Sequence, residues 1–355
     1  MSATQKVGRS GWYILGKEVD QFEKSFADWT HRKHVVGCAN GMDALEMGLR
    51  AAGIKPGDAV LTTPLSAFAT ALCIVRAGGE PVYCDVDAHG LLDPEQVRRA
   101  LKEHPKIRFI MPVHLFGHVA DLDALGDITR EHGITMIEDA AQAHGAQRNG
   151  VRAGDVGRAT GFSFYPTKNL GAIGDAGALA TDDPEIAQAV HTLRNYGQSK
   201  KYVHDEIGLN SRLDELHAAI MNEAFLPRLA DWTARRRAIA RAYLDGISNP
   251  RIQLLPGPDH DGSVWHLFPV MVAENADRDA FMAHLRQAGV QAGQHYPKLM
   301  PHQRAMTERS EPPRVVGELP IAQSFADREV SLPIHPYLTD DEVKHVIDTV
   351  DQWTD

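Results

Sequence analysis

Lys168 lies on a bend between a β-type run and a glycine-rich turn, within Gly161-Phe-Ser-Phe-Tyr-Pro-Thr-Lys-Asn-Leu-Gly-Ala-Ile-Gly-Asp-Ala-Gly177. Ser163 and Tyr165 precede it and Gly171, Gly174 and Gly177 follow, so its amine can reach a carbonyl compound without obstruction from its own backbone. That is the chemistry of a Schiff-base nucleophile. A lysine beside glycines is ordinarily a solvated loop residue, so the assignment depends on partners elsewhere in the chain. Asp139 is the first of them, ending the β-type run Ile134-Thr-Met-Ile-Glu-Asp139. A carboxylate there would keep the ring nitrogen of a pyridinium cofactor protonated and make the ring an electron sink. The same position also suits a helix N-cap. Phe68, in Pro64-Leu-Ser-Ala-Phe-Ala-Thr70, is placed to stack on such a ring or else to fill the core. Asn210, in Gly208-Leu-Asn-Ser-Arg-Leu-Asp214, is either a ligand contact or a turn residue.

The elements that must position these residues follow a regular rhythm. A strand at His34–Cys38 runs into Ala39-Asn-Gly-Met-Asp-Ala-Leu45 and a helix from Leu45 to Ala52, closed by Gly53. Strand, small-residue turn and helix make a phosphate cradle, because free N–H groups at a helix start favour an anion. Strands at 58–63, 80–85, 108–113 and 134–138 then alternate with helices at 66–77, 94–103 and 121–132. Alternation of this kind predicts an α/β fold with a mainly parallel, doubly wound sheet and ligands at the carboxyl ends of its strands. An amphipathic segment over 19–30 precedes this series, with Phe22, Phe26 and Trp29 on one face.

A helical pattern from Leu216 to Tyr243, interrupted at Pro227, carries Arg228, Arg235, Arg236, Arg237 and Arg241, which reads as a solvated face. The Pro-, Gly- and Asp-rich loop Gly246–Gly262 marks a domain boundary, giving a large cofactor-binding domain over 1–245 and a small α+β domain over 246–355. In the latter, a strand is expected over 264–272 and helices over 278–288 and 340–353.

A chain of 355 residues with 43% hydrophobic and 24% charged content suits a soluble two-domain enzyme. Its net charge of -10 and its lack of a long Lys/Arg run argue against nucleic acid. No apolar run is long enough for a membrane span. Cys38, Cys73 and Cys84 form no C-x-x-C pair, so the expectation is a reduced, cytoplasmic protein. His114 and His118 have a metal-like spacing but no Cys or carboxylate cluster beside them in sequence, so no metal is expected. Gly171–Gly177 follows the lysine instead of opening a βαβ unit, which excludes a dinucleotide fingerprint.

Taken in order, these motifs resemble the DegT/DnrJ/EryC1/StrS sugar aminotransferases, from Ser10-Gly-Trp-Tyr-Ile-Leu-Gly16 to Leu332-Pro-Ile-His-Pro336. The resemblance implies the type I aspartate-aminotransferase fold and pyridoxal 5'-phosphate (PLP). It implies that Lys168 forms the Schiff base, Asp139 faces the pyridine nitrogen and Gln142 lies near the phenolic oxygen. Phe68 falls where the family puts a ring-stacking aromatic. Ser163 matches a phosphate-binding hydroxyl, and Met42 and Asp43 match the pair whose backbone N–H groups hold the phosphate. Many members have Thr where Met42 stands, so a hydroxyl bond is missing here. Asn210 matches a phosphate contact from a second subunit, which implies a homodimer with the active site at the interface.

Lys168 argues against the branch whose members carry His there and act as dehydratases. Arg194-Asn-Tyr-Gly197, Lys200-Lys-Tyr202 and Asn210-Ser-Arg-Leu-Asp214 most resemble members that aminate C3 of dTDP-linked 3-keto-6-deoxyhexoses, with glutamate as donor. Alternatives are C4 amination of a UDP- or dTDP-4-keto sugar, a cyclitol ketone, or a non-enzymatic regulatory protein on the same fold. Tyr296 and His302, in His295-Tyr-Pro-Lys-Leu-Met-Pro-His302, are candidates for the sugar site, and Lys200 and Lys201 for meeting a diphosphate or simply water.

Overall fold

The computed structural model describes residues 2–354. Strands β1 (His34–Cys38), β2 (Ala59–Thr62), β3 (Glu80–Tyr83), β4 (Ile107–Met111) and β5 (Thr135–Asp139) alternate with helices Gly41–Ala51, Phe68–Arg76, Pro94–Glu103 and Leu122–His132. A small hairpin, β6 (Gln147–Arg148) and β7 (Val151–Arg152), leads into β8 (Ala159–Ser163) and β9 (Gly177–Thr181). A second hairpin, β10 (Gln198–Lys200) and β11 (Val203–His204), leaves Lys200 and Lys201 exposed. The last strands are β12 (Ile252–Leu254), β13 (Phe268–Val272), β14 (Arg314–Val315) and β15 (Glu329–Leu332).

Eight strands form one sheet in the order β1-β9-β8-β5-β4-β2-β3-β14. Its neighbouring pairs are parallel except those of β9, which runs against both β1 and β8. The predicted α/β class is therefore observed. Alternate side chains of each strand enter different cores: Val35 packs with Phe22, Phe26 and Phe162, while Val36 and Cys38 pack with Leu45, Val60 and Met111. Burial on both faces explains why these strands read as continuous apolar runs.

Three elements depart from the sequence expectation. The helix expected from Leu45 begins at Gly41, because Asn40 caps it: Asn40 Oδ1 accepts the Asp43 N–H at 2.8 Å. The strand expected from Val264 begins at Phe268, because the preceding residues bond across to a loop after β4. Val264 N–H donates to the Gly117 carbonyl at 3.0 Å, and the Ser263 hydroxyl donates to the same oxygen at 2.9 Å.

The third departure is the arginine run. Pro227 does interrupt the long pattern, dividing it into Glu215–Ile220, a π turn, a 3-10 turn and Leu229–Gly246. The last helix, however, is not a solvated face. Leu229, Arg236, Ile239, Ala240 and Tyr243 are buried, and the arginine lies on their stripe at helical spacing. Arg237 Nε donates to the Ser263 carbonyl at 2.8 Å, so only Arg228 and Arg241 of the five are exposed.

Strands β12, β13 and β15 form an antiparallel sheet over a second core that includes Tyr243, Trp265, Phe268, Phe281 and Trp353. The chain beyond residue 246 does not stay apart. β14 adds to β3 at the edge of the large sheet, and Leu299, Val316, Ala322 and Phe325 pack into its core.

Phe26 anchors the helix Lys17–Thr30 to the large sheet: it stacks on Phe22 at 5.6 Å and meets Phe162 and Phe164 edge-on at 5.2 Å. Phe26→Ala should destabilise the protein by about 3–5 kcal/mol, read as a lower urea midpoint at unchanged slope.

Candidate active site

Because β1, β2, β5 and β8 run the same way, their carboxyl ends meet at one edge of the sheet, where a cavity of about 1220 Å³ opens. Asn40 follows β1, Thr70 lies beyond β2, Asp139 ends β5 and Ser163 ends β8, and all four line it. Lys168 enters from the β8–β9 connection, its N–H donating to the Tyr165 carbonyl at 2.8 Å. From the second sheet's side the wall is made by His266, His295 and Tyr296.

The electrostatics are those of an amine and an acid held away from water. Burial pushes Lys168 down to about 8, and the charge of Asp139 opposes part of that fall. Burial likewise pushes Asp139 up, while its hydrogen bonds and the charge of Lys168 pull it back. One Asp139 oxygen accepts the Ala141 N–H at 3.1 Å and the other accepts the Thr70 hydroxyl at 2.9 Å. The first bond is the local capping contact foreseen for this position, although a turn follows instead of a helix. Ser66 Oγ supports Thr70 at 2.9 Å.

The side chains around this pair are pre-oriented. Gln142 Oε1 accepts the Phe116 N–H at 2.7 Å, which turns its amide nitrogen to donate to the Tyr296 hydroxyl at 3.2 Å. Burial pushes the Tyr296 phenol up to about 12. His295 is pushed down to about 4 by burial and by Lys168, and its Nδ1 lies 2.9 Å from Ser331 Oγ. Behind it Glu329, pushed up to about 8 by burial, accepts the His295 N–H at 2.6 Å.

Of the residues singled out in the sequence, Lys168, Asp139, Gln142, Ser163, Met42 and Tyr296 meet in this cavity. Four do not. Phe68 starts the helix Phe68–Arg76, is half-buried, packs against Ala71, Tyr83, Met300 and Met306, and is not among the residues lining the cavity. His302 is exposed at the end of a short turn. Asp43 lines a neighbouring depression with Asn210, and its N–H is engaged by Asn40. Asn210 is exposed on that rim, accepting a hydrogen bond from Arg212. The close approach that the cradle needs is provided by glycines. A Cβ on Gly41 would lie 2.7 Å from Ser163 Cβ, and one on Gly177 would lie 2.3 Å from the Asn40 carbonyl carbon.

His114 and His118 do not converge. His114 Nε2 lies 2.9 Å from Glu138, whereas His118 packs edge-on against Trp265 at 4.8 Å. Sequence reading missed Thr70, His266, His295 and Arg236. Only Arg236 carried a signal, its spacing of seven from Leu229 and to Tyr243.

The model of the DegT/DnrJ/EryC1/StrS aminotransferase family matches residues 1–351. The chain belongs to this family. It is 43% identical to the dTDP-3-amino-3,4,6-trideoxy-alpha-D-glucose transaminase of Streptomyces venezuelae, over 100% of this chain and 92% of that one. It is 42% identical to the dTDP-3-amino-3,6-dideoxy-alpha-D-galactopyranose transaminase of Aneurinibacillus thermoaerophilus, over 99% and 94%. Among solved structures, S. venezuelae DesV in complex with a ketimine intermediate superposes with a TM-score of 0.91 at 42% identity, covering 99% of this chain and 93% of that one. The fold is thus that of the PLP aminotransferases and the protein is a transaminase. PLP is the cofactor that the family implies. The residues present fit it: an amine near neutrality, a buried carboxylate and a backbone cradle at a helix start. Among the described residues no helix is long and apolar enough to cross a membrane.

Proposed function

We propose that this DegT/DnrJ/EryC1/StrS-family protein moves an amino group from L-glutamate to C3 of a dTDP-linked 3-keto-6-deoxyhexose, using PLP. The observation that carries the reading is the single cavity shared by Lys168 and Asp139, with the amine pushed down and the acid pushed up by burial. The dTDP-linked 3-amino products named for the two relatives favour this substrate over a 4-keto sugar or a cyclitol.

PLP, when bound, supplies a carbonyl that condenses with amines and a ring that takes up electrons. Lys168 Nζ is the base that carries a proton away from the donor's Cα, since an amine titrating near 8 is partly unprotonated at neutral pH. Asp139 holds positive charge at the ring nitrogen, and Thr70 with the Ala141 N–H keeps its carboxylate aimed. Ser163 Oγ and the backbone at Gly41 and Met42 would hold the phosphate at the start of the helix Gly41–Ala51. Gln142 and Tyr296 flank the reacting end.

Asn210 lies outside its own cavity, so a phosphate contact from it needs a second copy of the chain. The half-exposed Tyr165 and Ile173 at the cavity rim would be covered in such a homodimer. A monodisperse, fully active monomer in sedimentation would overturn the two-subunit site.

The free amine of Lys168 appears as pH rises through about 8 and disappears below it. The rate at which apoprotein captures PLP should therefore rise from pH 6.5 and level off just above 8, not near the ordinary lysine value of about 10.4. The function is tested by turnover of dTDP- and UDP-linked 3-keto and 4-keto hexoses with glutamate. A preference for any 4-keto substrate would replace the C3 assignment.

A further inference from the structure

Arg236 stands on the buried stripe of the helix Leu229–Gly246 and lines the same cavity as Lys168. It is 6% exposed. Its Nη1 donates to the carbonyl oxygens of Ile334 at 2.8 Å, Trp265 at 3.1 Å and His266 at 3.4 Å. Its Nε has no acceptor among the described residues. The neighbouring arginines of this helix do meet acids, Arg235 with Asp340 at 2.8 Å and Arg241 with Asp261. Among the described residues Arg236 has no such carboxylate, and burial is what lowers its ionisation. A buried guanidinium without a counter-charge costs stability that an incoming anion would recover.

A short chain of contacts fixes where that anion would lie. Asn169, the residue after Lys168, accepts at Oδ1 from the His266 Nδ1–H at 3.1 Å and donates from Nδ2 to the Val264 carbonyl at 2.8 Å. Arg236 holds the backbone of that same His266. The His266 ring is pushed well below its ordinary value by burial and then by both cations, Lys168 and Arg236. His266 and Asn169 thus link Arg236 to the backbone beside Lys168, and both cations line one cavity.

An α-amino acid that delivers its amine to the position of Lys168 Nζ carries a carboxylate one carbon away. We propose that Arg236 binds the α-carboxylate of the amino donor, offering Nε and Nη2 as a planar two-donor edge. Such an edge matches a carboxylate better than a point charge does. The diphosphate of a nucleotide sugar is carried on C1, several bonds farther from a reacting C3 than an α-carboxylate is from its own amine. This inference rests on the transaminase reading and adds the residue that recognises the donor.

The test separates the two half-reactions. Arg236→Met should raise the half-saturating glutamate concentration about 10–100-fold, with the half-saturating amino-sugar concentration in the reverse half-reaction changed less than about twofold. Titration calorimetry should show glutarate, which has both carboxylates of glutamate and no amine, binding wild-type holoenzyme and not the variant. Equal weakening of glutamate and amino sugar, or weakening of the sugar alone, overturns the proposal. Arg236 also ties three carbonyls, so its replacement could disturb the fold. A crystal structure of wild-type holoenzyme with glutarate is independent of that risk: a carboxylate on Arg236 supports the proposal and a carboxylate elsewhere overturns it. If wild-type holoenzyme does not react with glutamate at all, the failure belongs to the proposed function.

Discussion

Lys168→Ala should yield a folded protein that develops no visible chromophore with PLP and whose turnover is lower by about 10⁴-fold or more. Two functions are lost together, the covalent anchor and the base. The side chain is half-buried, lies on a connection and not in a core, and has no ion pair among the described residues. Its removal should therefore leave the urea midpoint near that of wild type. Burial disfavours its charged form, so the variant also sheds a destabilising contribution, full below about pH 8 and fading as pH rises toward the ordinary lysine value, and its midpoint should not fall below that of wild type. Added primary amines of small size should restore part of the proton transfer but not the anchor. A variant with wild-type absorbance would remove Lys168 from the mechanism.

Asp139→Asn should lower turnover by about 10²–10³-fold while PLP uptake persists. The amide keeps an oxygen for one of the two present donors, Ala141 N–H or Thr70, but has no charge to hold a cation at the ring nitrogen. The competing role, capping the turn after β5, makes a different prediction: lower stability and unchanged turnover. Measuring both on one preparation distinguishes them. Thr70→Val should reproduce the loss in weaker form, about tenfold, because it frees one carboxylate oxygen without removing the charge.

The rhythm of strands and helices through residue 138, the mainly parallel sheet and the β-type run before Lys168 were legible in the sequence, because they are written in local periodicity and in glycine placement; the hairpin of β6 and β7 was not. The order of motifs sufficed for the family. Site residues carried at the ends of strands, such as Asp139 and Ser163, could be named because a parallel sheet sends every such end to one edge. Phe68 and His302 are not among the residues lining the cavity, which local pattern could not show, because a residue in a loop or at a helix start has no periodic neighbour to fix its direction. Phe68 packs against a cluster built by Met300 and Met306, more than two hundred positions along the chain.

Arg236 shows the same limit from the other side. In sequence it is one of five arginines, and its charge predicts water. Only the packing of the second sheet's core and the carbonyls of Trp265 and Ile334 against one stripe of the helix takes it inside. Fold class, family and the proposed reacting pair follow from the order of residues along the chain. Which charges are buried, and therefore what they can bind, follows only from packing in three dimensions, because solvation depends on every neighbour in space and not on the few in line.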